Sequence, residues 1–245
     1  MKLSQEKIDQ FQRDGYLPVG PVITADELAE ARTAYDRIFA ATEKPSSYRD
    51  LGERKDGQSK GAVLQIIDMW KLDDVFKRLL FKAETLDIIE SLLGTPDIRL
   101  FHDQALYKPA LHGDEVPWHQ DNGYWKFDPP NAISLWMALD DADTSNGCMR
   151  FIAASHKGGQ AGHVQREFVS VLHADADESL AIPVPVAAGS AVIHHCQTLH
   201  NTKPNLSTRQ RRAWVRHYIG PDVTQAGVQV TDRPVLRSLD HETTA

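Results

Sequence analysis

The sequence contains little cysteine, no long apolar run and no excess of basic residues. Cys148 and Cys196 are too few for a disulfide framework and do not form a Cys-x-x-Cys pair, which predicts a reducing, cytoplasmic environment. No stretch approaches the roughly 20 apolar residues of a membrane span, and the first residues lack the apolar segment of a signal peptide. A formal net charge of −7 with dispersed Lys and Arg predicts no nucleic-acid partner.

The first third of the chain carries helix signals. Ile8 and Phe11 lie at helical spacing before a turn at Asp14-Gly15. Thr24-Ala25-Asp26-Glu27 is a capping box that predicts the start of an amphipathic helix. The pattern from Asp73 to Leu93 predicts two short helices ending at Gly94. Between these helices, residues 41–63 are polar and predict a long loop that could order over a ligand.

After Pro96 the pattern changes to short strands separated by turns. The predicted strands are Ile98 to Lys108, Ala132 to Leu139, Cys148 to Ile152, Ala181 to Val186, Ser190 to His195, and Arg211 to Ile219. Helices followed by strands predict an α+β, mainly β fold. The irregular connections favour a jelly roll of two sheets over a parallel sheet with helical crossovers. We expect the jelly-roll core at about 96–220 and an N-terminal helical region at about 4–94.

A histidine and an aspartate two residues apart form the strongest chemical signal. His119 and Asp121 stand at i and i+2, positions that project from the same face of a strand. Two histidines and one carboxylate on one face of an iron ion leave neighbouring positions open for a bidentate cosubstrate and dioxygen. A His-x-Asp pair alone arises often by chance, so a third ligand must lie further along the chain.

The segment 189–205 and the arginines after it supply the missing groups. Its histidines, any of which could be the third ligand by residue type, are His194, His195 and His200. A buried guanidinium can bind a dicarboxylate through two parallel hydrogen bonds, which a lysine cannot reproduce. Along the last predicted strand Arg211 shares a face with Ala213, while Arg212 faces the other way. Alternation therefore predicts that Arg211 points inward.

Several motifs spread over roughly residues 8 to 220 together resemble one known family. They are Phe11-Gln12-Arg13-Asp14-Gly15-Tyr16-Leu17, His119-Gln120-Asp121, Leu135-Trp136-Met137-Ala138-Leu139-Asp140-Asp141, Asn146-Gly147-Cys148, Ala154-Ser155-His156-Lys157, Leu199-His200-Asn201-Thr202-Lys203-Pro204-Asn205 and Arg211-Arg212-Ala213. This set resembles the phytanoyl-CoA dioxygenase (PhyH) family of Fe(II)- and 2-oxoglutarate-dependent oxygenases.

The resemblance implies a fold, a site and a reaction. The fold is a double-stranded β-helix, a cupin-like jelly roll, with N-terminal helices packed outside, and we expect a single domain over residues 1–245. By position, His119, Asp121 and His200 match the Fe(II) ligands, and Arg211 matches the partner of 2-oxoglutarate. Positions that match cosubstrate-lining residues are Gln104, Trp136 and Thr202. The implied reaction consumes O2 and releases succinate and CO2 while a C–H bond of a small metabolite is hydroxylated.

Departures from the family pattern lie away from these residues, and two other functions stay open. Pro-Gly is absent before Ser155-His156, and Ser190 stands where an acidic residue is common. Asp121 argues against halogenase activity, since related halogenases carry a small residue there. A zinc-dependent hydrolase or isomerase could use the same ligands but needs an additional general acid or base. A non-catalytic 2-oxoglutarate sensor would bind without turnover.

Other residues near the motifs have competing interpretations. The residues Tyr124 and Trp125, with Phe127, could line a substrate pocket or pack the sandwich. Lys108 is predicted to be solvated at a strand end, the alternative being attraction of an anionic substrate. For His194 and His195 the prediction is a structural role, and Cys196 is read as a buried apolar residue rather than a ligand. Substrate identity and oligomeric state are not predicted beyond a small polar metabolite.

Overall fold

The structure is a computed structural model that describes residues 2–52, 61–165 and 171–238. Its α-helices are α1 (Gln5–Asp14), α2 (Ala25–Ala40), α3 (Met69–Leu72), α4 (Asp74–Leu80), α5 (Ala83–Leu93) and α6 (Asn122–Trp125). Its strands are β1 (Tyr16–Pro21), β2 (Arg49–Asp50), β3 (Leu64–Ile67), β4 (Ile98–Lys108), β5 (Val116–His119), β6 (Phe127–Asp128), β7 (Ala132–Ala138), β8 (Met149–Ile152), β9 (His163–Gln165), β10 (Leu172–Ala174), β11 (Ala181–Val184), β12 (Ser190–His195), β13 (His200–Thr202), β14 (Arg211–Ile219), β15 (Thr224–Gln225), β16 (Val228–Gln229) and β17 (Val235–Arg237).

The helix ends follow the local signals of the sequence. Helix α1 ends at Gly15, which adopts φ +80°, a left-handed conformation that glycine reaches without the strain of a Cβ. At the start of α2 the Thr24 hydroxyl accepts from the Glu27 amide while the Glu27 carboxylate accepts from the Thr24 amide. Gly94 closes α5 in the same left-handed way as Gly15. These predicted boundaries are confirmed.

Two antiparallel sheets form the jelly roll. The larger follows the order β1-β12-β7-β14-β4-β3-β2, with β17 also paired to β4, and the smaller follows β11-β8-β13-β5. Strand β14 lies near the centre of the large sheet, between β7 and β4. Every residue of β14 is buried because helices cover one face of this sheet and the smaller sheet covers the other. The predicted α+β, mainly β jelly roll is confirmed.

The alternation of β14 divides its residues between two cores. Trp214 and Tyr218 belong to the core under the helices, which also contains Tyr35 and Phe76. Ala213, Val215 and Trp136 belong to the core between the two sheets. Arg211 has the parity of Ala213 and is directed toward the space between the sheets. The large sheet thus presents one row of side chains to the helices and the other to the interior.

The N-terminal region is less helical than the sequence predicted. Strands β1, β2 and β3 all lie before residue 94 and join the large sheet through β12 and β4. Strand β1 was missed because Pro18, Gly20 and Pro21 read as turn chemistry. Prolines are tolerated here because β1 is an edge strand that pairs only with β12.

Two further differences concern loops and helices. The predicted loop at 41–63 contains β2, and the part at 53–60 lies outside the described residues. Helix α3 was not predicted, whereas α4 and α5 are the two short helices expected in the segment from Asp73 to Leu93. Within the described residues, no helix is long and apolar enough to cross a membrane.

Candidate metal centre

Three side chains from two adjacent strands and a turn meet at the open end of the jelly roll. His119 ends β5 and His200 begins β13, and the two residues are direct partners in the pairing of these strands. Asp121 follows at the start of α6. One donor atom from each of the three buried residues lies within 4.8 Å of the others, and the described ranges contain no other such group. The structure therefore brings together the three residues that the resemblance assigned to the metal.

Asp121 reaches this site in a different way from the one predicted. Strand β5 stops at His119, and Asp121 adopts φ −55° and ψ −40°, which are helical angles. The prediction that His119 and Asp121 project from one face of a continuous strand is wrong. The tight turn into α6 brings Asp121 Oδ1 to 3.8 Å from His119 Nε2 and 3.7 Å from His200 Nε2.

Backbone carbonyls orient both imidazoles for metal binding. Nδ1 of His119 lies 2.8 Å from the Pro117 carbonyl oxygen, and Nδ1 of His200 lies 2.9 Å from that of Thr198. A carbonyl can only accept, so each Nδ1 carries the proton and each Nε2 presents its lone pair to the centre. Burial lowers the pKa of His119 and holds that of His200 well below its usual value. Both rings are therefore neutral at neutral pH, as metal ligands must be.

The second oxygen of Asp121 is held by the protein. Oδ2 accepts from Ser134 Oγ at 2.6 Å and from His194 Nε2 at 3.1 Å. Burial opposes ionisation of this carboxyl, but the hydrogen bond that His194 donates favours the ionised form, and the pKa of Asp121 lies well below its usual value. With Oδ2 engaged on both sides, Oδ1 is the atom left to face the two Nε2 atoms.

A directed chain of hydrogen bonds continues from Asp121 across the large sheet. Because Ser134 donates its single proton to the carboxylate, it accepts from His217 Nδ1 at 2.7 Å. Nε2 of His217 then accepts from Gln104 Nε2 at 3.0 Å, and the Gln104 carbonyl accepts from the Gln65 amide. Burial holds the pKa of His217 well below its usual value, consistent with this neutral tautomer. In each hydrogen bond of this chain, the residue farther from Asp121 is therefore the donor.

Arg211 is a buried cation that has no anionic partner among the residues that the structure describes. The residue is 1% exposed, its guanidinium lies over the Trp136 ring at 5.5 Å, and its hydrogen bond is a long one of 3.4 Å to the Leu106 carbonyl. Among the described residues no carboxylate forms an ion pair with it, and its Nε has no partner. By contrast, the neighbouring Arg212 binds Asp140 and Asp36.

The state of Arg211 tests whether a dicarboxylate fits this site. Burial lowers its pKa to about 10, so the guanidinium still carries its charge at neutral pH. Burying an unpaired ion costs folding free energy on the order of several kcal/mol, because the ion loses its hydration. An anionic ligand that paired with Arg211 would remove much of that cost. The hydroxyl of Thr202 lines the same cavity and is also buried without a partner. These groups fit a carboxylate of 2-oxoglutarate, and the three donors above fit Fe(II).

One cavity of about 240 Å³ joins the metal-facing atoms to Arg211. The predicted cosubstrate residues Gln104, Trp136 and Thr202 all line it, and so do Tyr124 and Trp125. Phe127 does not line this cavity. It packs with Trp125 in a separate apolar cluster. The sequence-derived residues are thus placed around a common space, with aromatic side chains on the wall beside α6.

One of two further polar residues lies differently from the prediction. His194 is not among the three converging donors; it contacts the metal-facing carboxylate and lines the cavity, whereas His195 points to the opposite side of β12. Lys108, expected in solvent, is fully buried, and its Nζ donates to the Lys203 carbonyl at 2.6 Å. The solvated interpretation of Lys108 is wrong because the segment after β13 covers the end of β4.

Ser134 and His217 were missed as site residues. Ser134 carries no sequence signal of its own in an apolar strand. His217 could have been found by alternation, since it stands six residues after Arg211 and therefore on the same face of β14.

Comparison with known proteins assigns the fold and the family. The solved structure of EvdO2 from Micromonospora carbonacea var. aurantiaca is 26% identical, covers 94% of this chain and 95% of its own, and has a TM-score of 0.76. The epimerase SnoN, solved in complex with Fe3+, alpha ketoglutarate and nogalamycin RO, is 23% identical with 90% and 85% coverage and a TM-score of 0.75. At that identity SnoN shows likeness of fold alone. The class is therefore that of jelly-roll proteins with a two-histidine, one-carboxylate centre.

The family follows from the sequence comparison. The profile of phytanoyl-CoA dioxygenase (PhyH) matches residues 11–213. A curated relative, phytanoyl-CoA dioxygenase 1 of Oryza sativa subsp. japonica, is 28% identical over 252 residues and covers 89% of each chain. The chain belongs to the PhyH family of Fe(II)/2-oxoglutarate-dependent oxygenases.

Proposed function

We propose that this oxygenase hydroxylates an unactivated C–H bond of a small metabolite, with 2-oxoglutarate as cosubstrate and release of succinate and CO2. His119, Asp121 and His200 hold Fe(II) in this proposal, and Arg211 holds the far carboxylate of 2-oxoglutarate. The observation that carries it is the combination of three converging donors with a buried, unpaired guanidinium in one cavity. Gln104, Trp136 and Thr202 are the further cosubstrate-lining residues, and Tyr124 and Trp125 are the substrate-facing ones.

The protein's part in the reaction is to position groups and exclude water. The carbonyls behind His119 and His200 fix the rings, and Ser134 fixes the carboxylate of Asp121, so the ligand geometry exists before the metal binds. Arg211 orients the cosubstrate along the cavity through a charge-assisted fork. Burial of all these groups keeps solvent from the reacting atoms.

The bound groups supply the oxidising chemistry: Fe(II), O2 and 2-oxoglutarate together convert a C–H bond to C–OH, and 2-oxoglutarate becomes succinate and CO2. Tyr124 stands edge-on to the His119 ring at 5.8 Å and therefore lies beside the position where a substrate would meet the centre. Burial raises the pKa of Tyr124 to about 12, so it faces the substrate as a neutral phenol.

Other reactions on the same centre are distinguishable. A zinc hydrolase or isomerase would need a general acid or base beside the metal, and it would form no succinate from 2-oxoglutarate. A sensor would bind 2-oxoglutarate without forming succinate. Epimerisation, the activity of SnoN, would form succinate without adding oxygen to the product. We further propose a single catalytic domain and a cytoplasmic location, the latter because Cys148 and Cys196 are both free thiols.

The first experiment is an anaerobic titration of metal-free protein with Fe(II) and then 2-oxoglutarate, followed by visible absorption. We expect the charge-transfer band of chelated 2-oxoglutarate in the wild type and its loss in Asp121→Ala and Arg211→Ala. Arg13→Ala is the matched control because Arg13 is exposed on α1, where its ion pair with Asp14 contributes little. A folded wild type that binds Fe(II) but develops no band would refute the proposal.

A further inference from the structure

Arg49 is a cation on the cavity wall that neither the metal nor the cosubstrate requires. It lies in β2 and is exposed, and its guanidinium forms no hydrogen bond or ion pair within the described part of the chain. Its strand neighbour Asp50 is turned away and accepts from the amides of Gly52 and Val63. The nearby Asp68 is paired with Lys71 at 2.8 Å. Among the described residues, no side chain therefore competes with a ligand that enters from solvent and meets Arg49.

When the charges of the loaded cavity are added up over the described residues, the positive charge of Arg49 is not compensated. Of the lysine, arginine, aspartate and glutamate residues among the described residues, those lining the cavity are Arg49, Asp121 and Arg211. With the proposed groups bound, Asp121 and the two carboxylates of 2-oxoglutarate cancel the charges of Fe(II) and Arg211. His102, also on the wall, has its pKa lowered to about 4 by burial and is neutral. A substrate that carries negative charge would offset Arg49.

Gln65 provides a second, independent feature beside Arg49. It is the direct partner of Arg49 in the pairing of β2 with β3, which puts the two Cβ atoms within roughly 4.5–5.5 Å on the same face. Gln65 is 9% exposed and lines the cavity, and its buried Oε1 has no hydrogen-bond partner among the residues that the structure describes. A buried acceptor of this kind costs about 1–3 kcal/mol unless a donor reaches it.

The orientation of the Gln65 amide is set from the other end of the hydrogen-bond chain. The carboxylate of Asp121 can only accept, so Ser134, His217 and Gln104 must each donate toward it. The Gln104 carbonyl is then turned to the Gln65 Nε2 group. Oε1 of Gln65 is consequently an acceptor, and the ligand group that meets it must be a donor.

We propose that the substrate is a small anion, a carboxylate or a phosphate ester, whose acidic group binds Arg49 and whose neighbouring hydroxyl or amino group donates to Gln65 Oε1. This subsite rests on the proposed function for the charge balance, but not for the free guanidinium or the unpartnered acceptor. The cavity size agrees, since about 240 Å³ lies below the ~300–1,000 Å³ of pockets for drug-sized ligands.

The test measures binding by calorimetry, without turnover, to the anaerobic protein loaded with Fe(II) and 2-oxoglutarate. The probes are 3-hydroxybutyrate, its neutral methyl ester, and butyrate, which lacks the donor. Glycerol 3-phosphate and glycerol form the phosphate arm. The variants are Arg49→Gln, Arg49→Lys and Gln65→Met, with Arg13→Gln as the control that removes the same charge outside the cavity.

We expect one anion to bind the wild type and the Arg13→Gln control roughly tenfold or more tightly than its neutral counterpart, the size of one charge-assisted hydrogen bond. Arg49→Gln should remove this preference, and Arg49→Lys should retain part of it. Gln65→Met should remove the preference for 3-hydroxybutyrate over butyrate. The carboxylate and phosphate arms decide between the two acids.

Failure of the subsite and failure of the proposed function give different results. Equal binding of acid and ester, a preference that survives Arg49→Gln, or no anion binding to the loaded wild type would overturn the subsite. Absence of the 2-oxoglutarate band in the wild type would overturn the proposed function instead. In that event the same probes on metal-free protein decide the subsite, since Arg49 and Gln65 are arranged by the pairing of β2 with β3.

Discussion

Removing the Ser134 hydroxyl tests whether the protein presets the Asp121 carboxylate for the metal. In Ser134→Ala the 2.6 Å hydrogen bond to Asp121 Oδ2 is lost, and His217 Nδ1 loses its acceptor. The residue is fully buried, so water does not replace the hydroxyl. We expect Asp121 to gain rotational freedom and to hold Fe(II) less tightly.

The size of the effect follows from the contacts. A hydrogen bond to a charged group contributes about 1.5–3 kcal/mol, and loss of an outer partner of a metal ligand weakens metal binding about 10–100-fold, or roughly 1.4–2.7 kcal/mol. His194 still donates to Oδ2 at 3.1 Å in the variant. The remaining contact restrains the carboxylate, so the expected rise in the Fe(II) dissociation constant is about tenfold, at the lower end of this range.

The assay is an anaerobic Fe(II) titration at saturating 2-oxoglutarate, read by the charge-transfer band. The matched control is Ser190→Ala, the same chemical change at a buried serine of β12 that does not line the cavity. The control should bind Fe(II) as the wild type does. An unchanged dissociation constant in folded Ser134→Ala would show that the metal alone orients Asp121, and the argument from preorganisation would be refuted.

Three further predictions address the cosubstrate, a buried carboxyl and a helix cap. Arg211→Lys should raise the KM for 2-oxoglutarate by at least about tenfold, because an ammonium group cannot form the two-bond fork. Arg212→Lys should instead lower the melting temperature and leave this KM unchanged, since Arg212 joins Asp140 and Asp36. A raised KM in Arg212→Lys with an unchanged KM in Arg211→Lys would contradict the assignment. Burial raises the pKa of Asp103 to about 7. Between about pH 4 and 7 the folded state therefore keeps a proton that the unfolded state has released. The free energy of unfolding consequently falls as pH rises through this window. Asp103→Asn should flatten that dependence in denaturant unfolding and add up to about 4 kcal/mol above pH 7; an unaltered profile would rule out this origin. Thr24→Ala should cost about 1 kcal/mol of unfolding free energy through loss of the capping box and leave the 2-oxoglutarate band intact, whereas a weakened band would show that α2 supports the site.

Local patterns predicted much of the fold. The helix ends at Gly15 and Gly94 and the capping box at Thr24 depend on backbone groups only a few residues away. The bounds of β4 and β14 agree with the predicted strands because alternation over nine or more residues is a long and therefore specific signal. Short strands such as β5 and β13 escaped prediction, since three or four residues carry too little pattern.

Residue types and spacing also predicted several of the residues that face the metal and the cosubstrate. His119 and Asp121 were found from two positions in the chain, and alternation separated Arg211 from Arg212. The choice of His200 among three histidines depended on the resemblance to the family. Strand pairing then places His200 directly against His119.

The sequence by itself determined the periodicity, the caps and the set of chemically capable residues, because each of these depends on neighbours within a turn or a strand. Only the tertiary structure decided which residues donate hydrogen bonds to the carboxylate of Asp121. Ser134 on β7 donates to Asp121 across 13 residues of chain, and His194 on β12 reaches the same carboxylate across 73 residues. The acceptor of Gln65 likewise arises from a chain of hydrogen bonds that crosses four strands of the large sheet. Hydrogen bonds of this range follow from how sheets pack, and sequence periodicity carries no information about that.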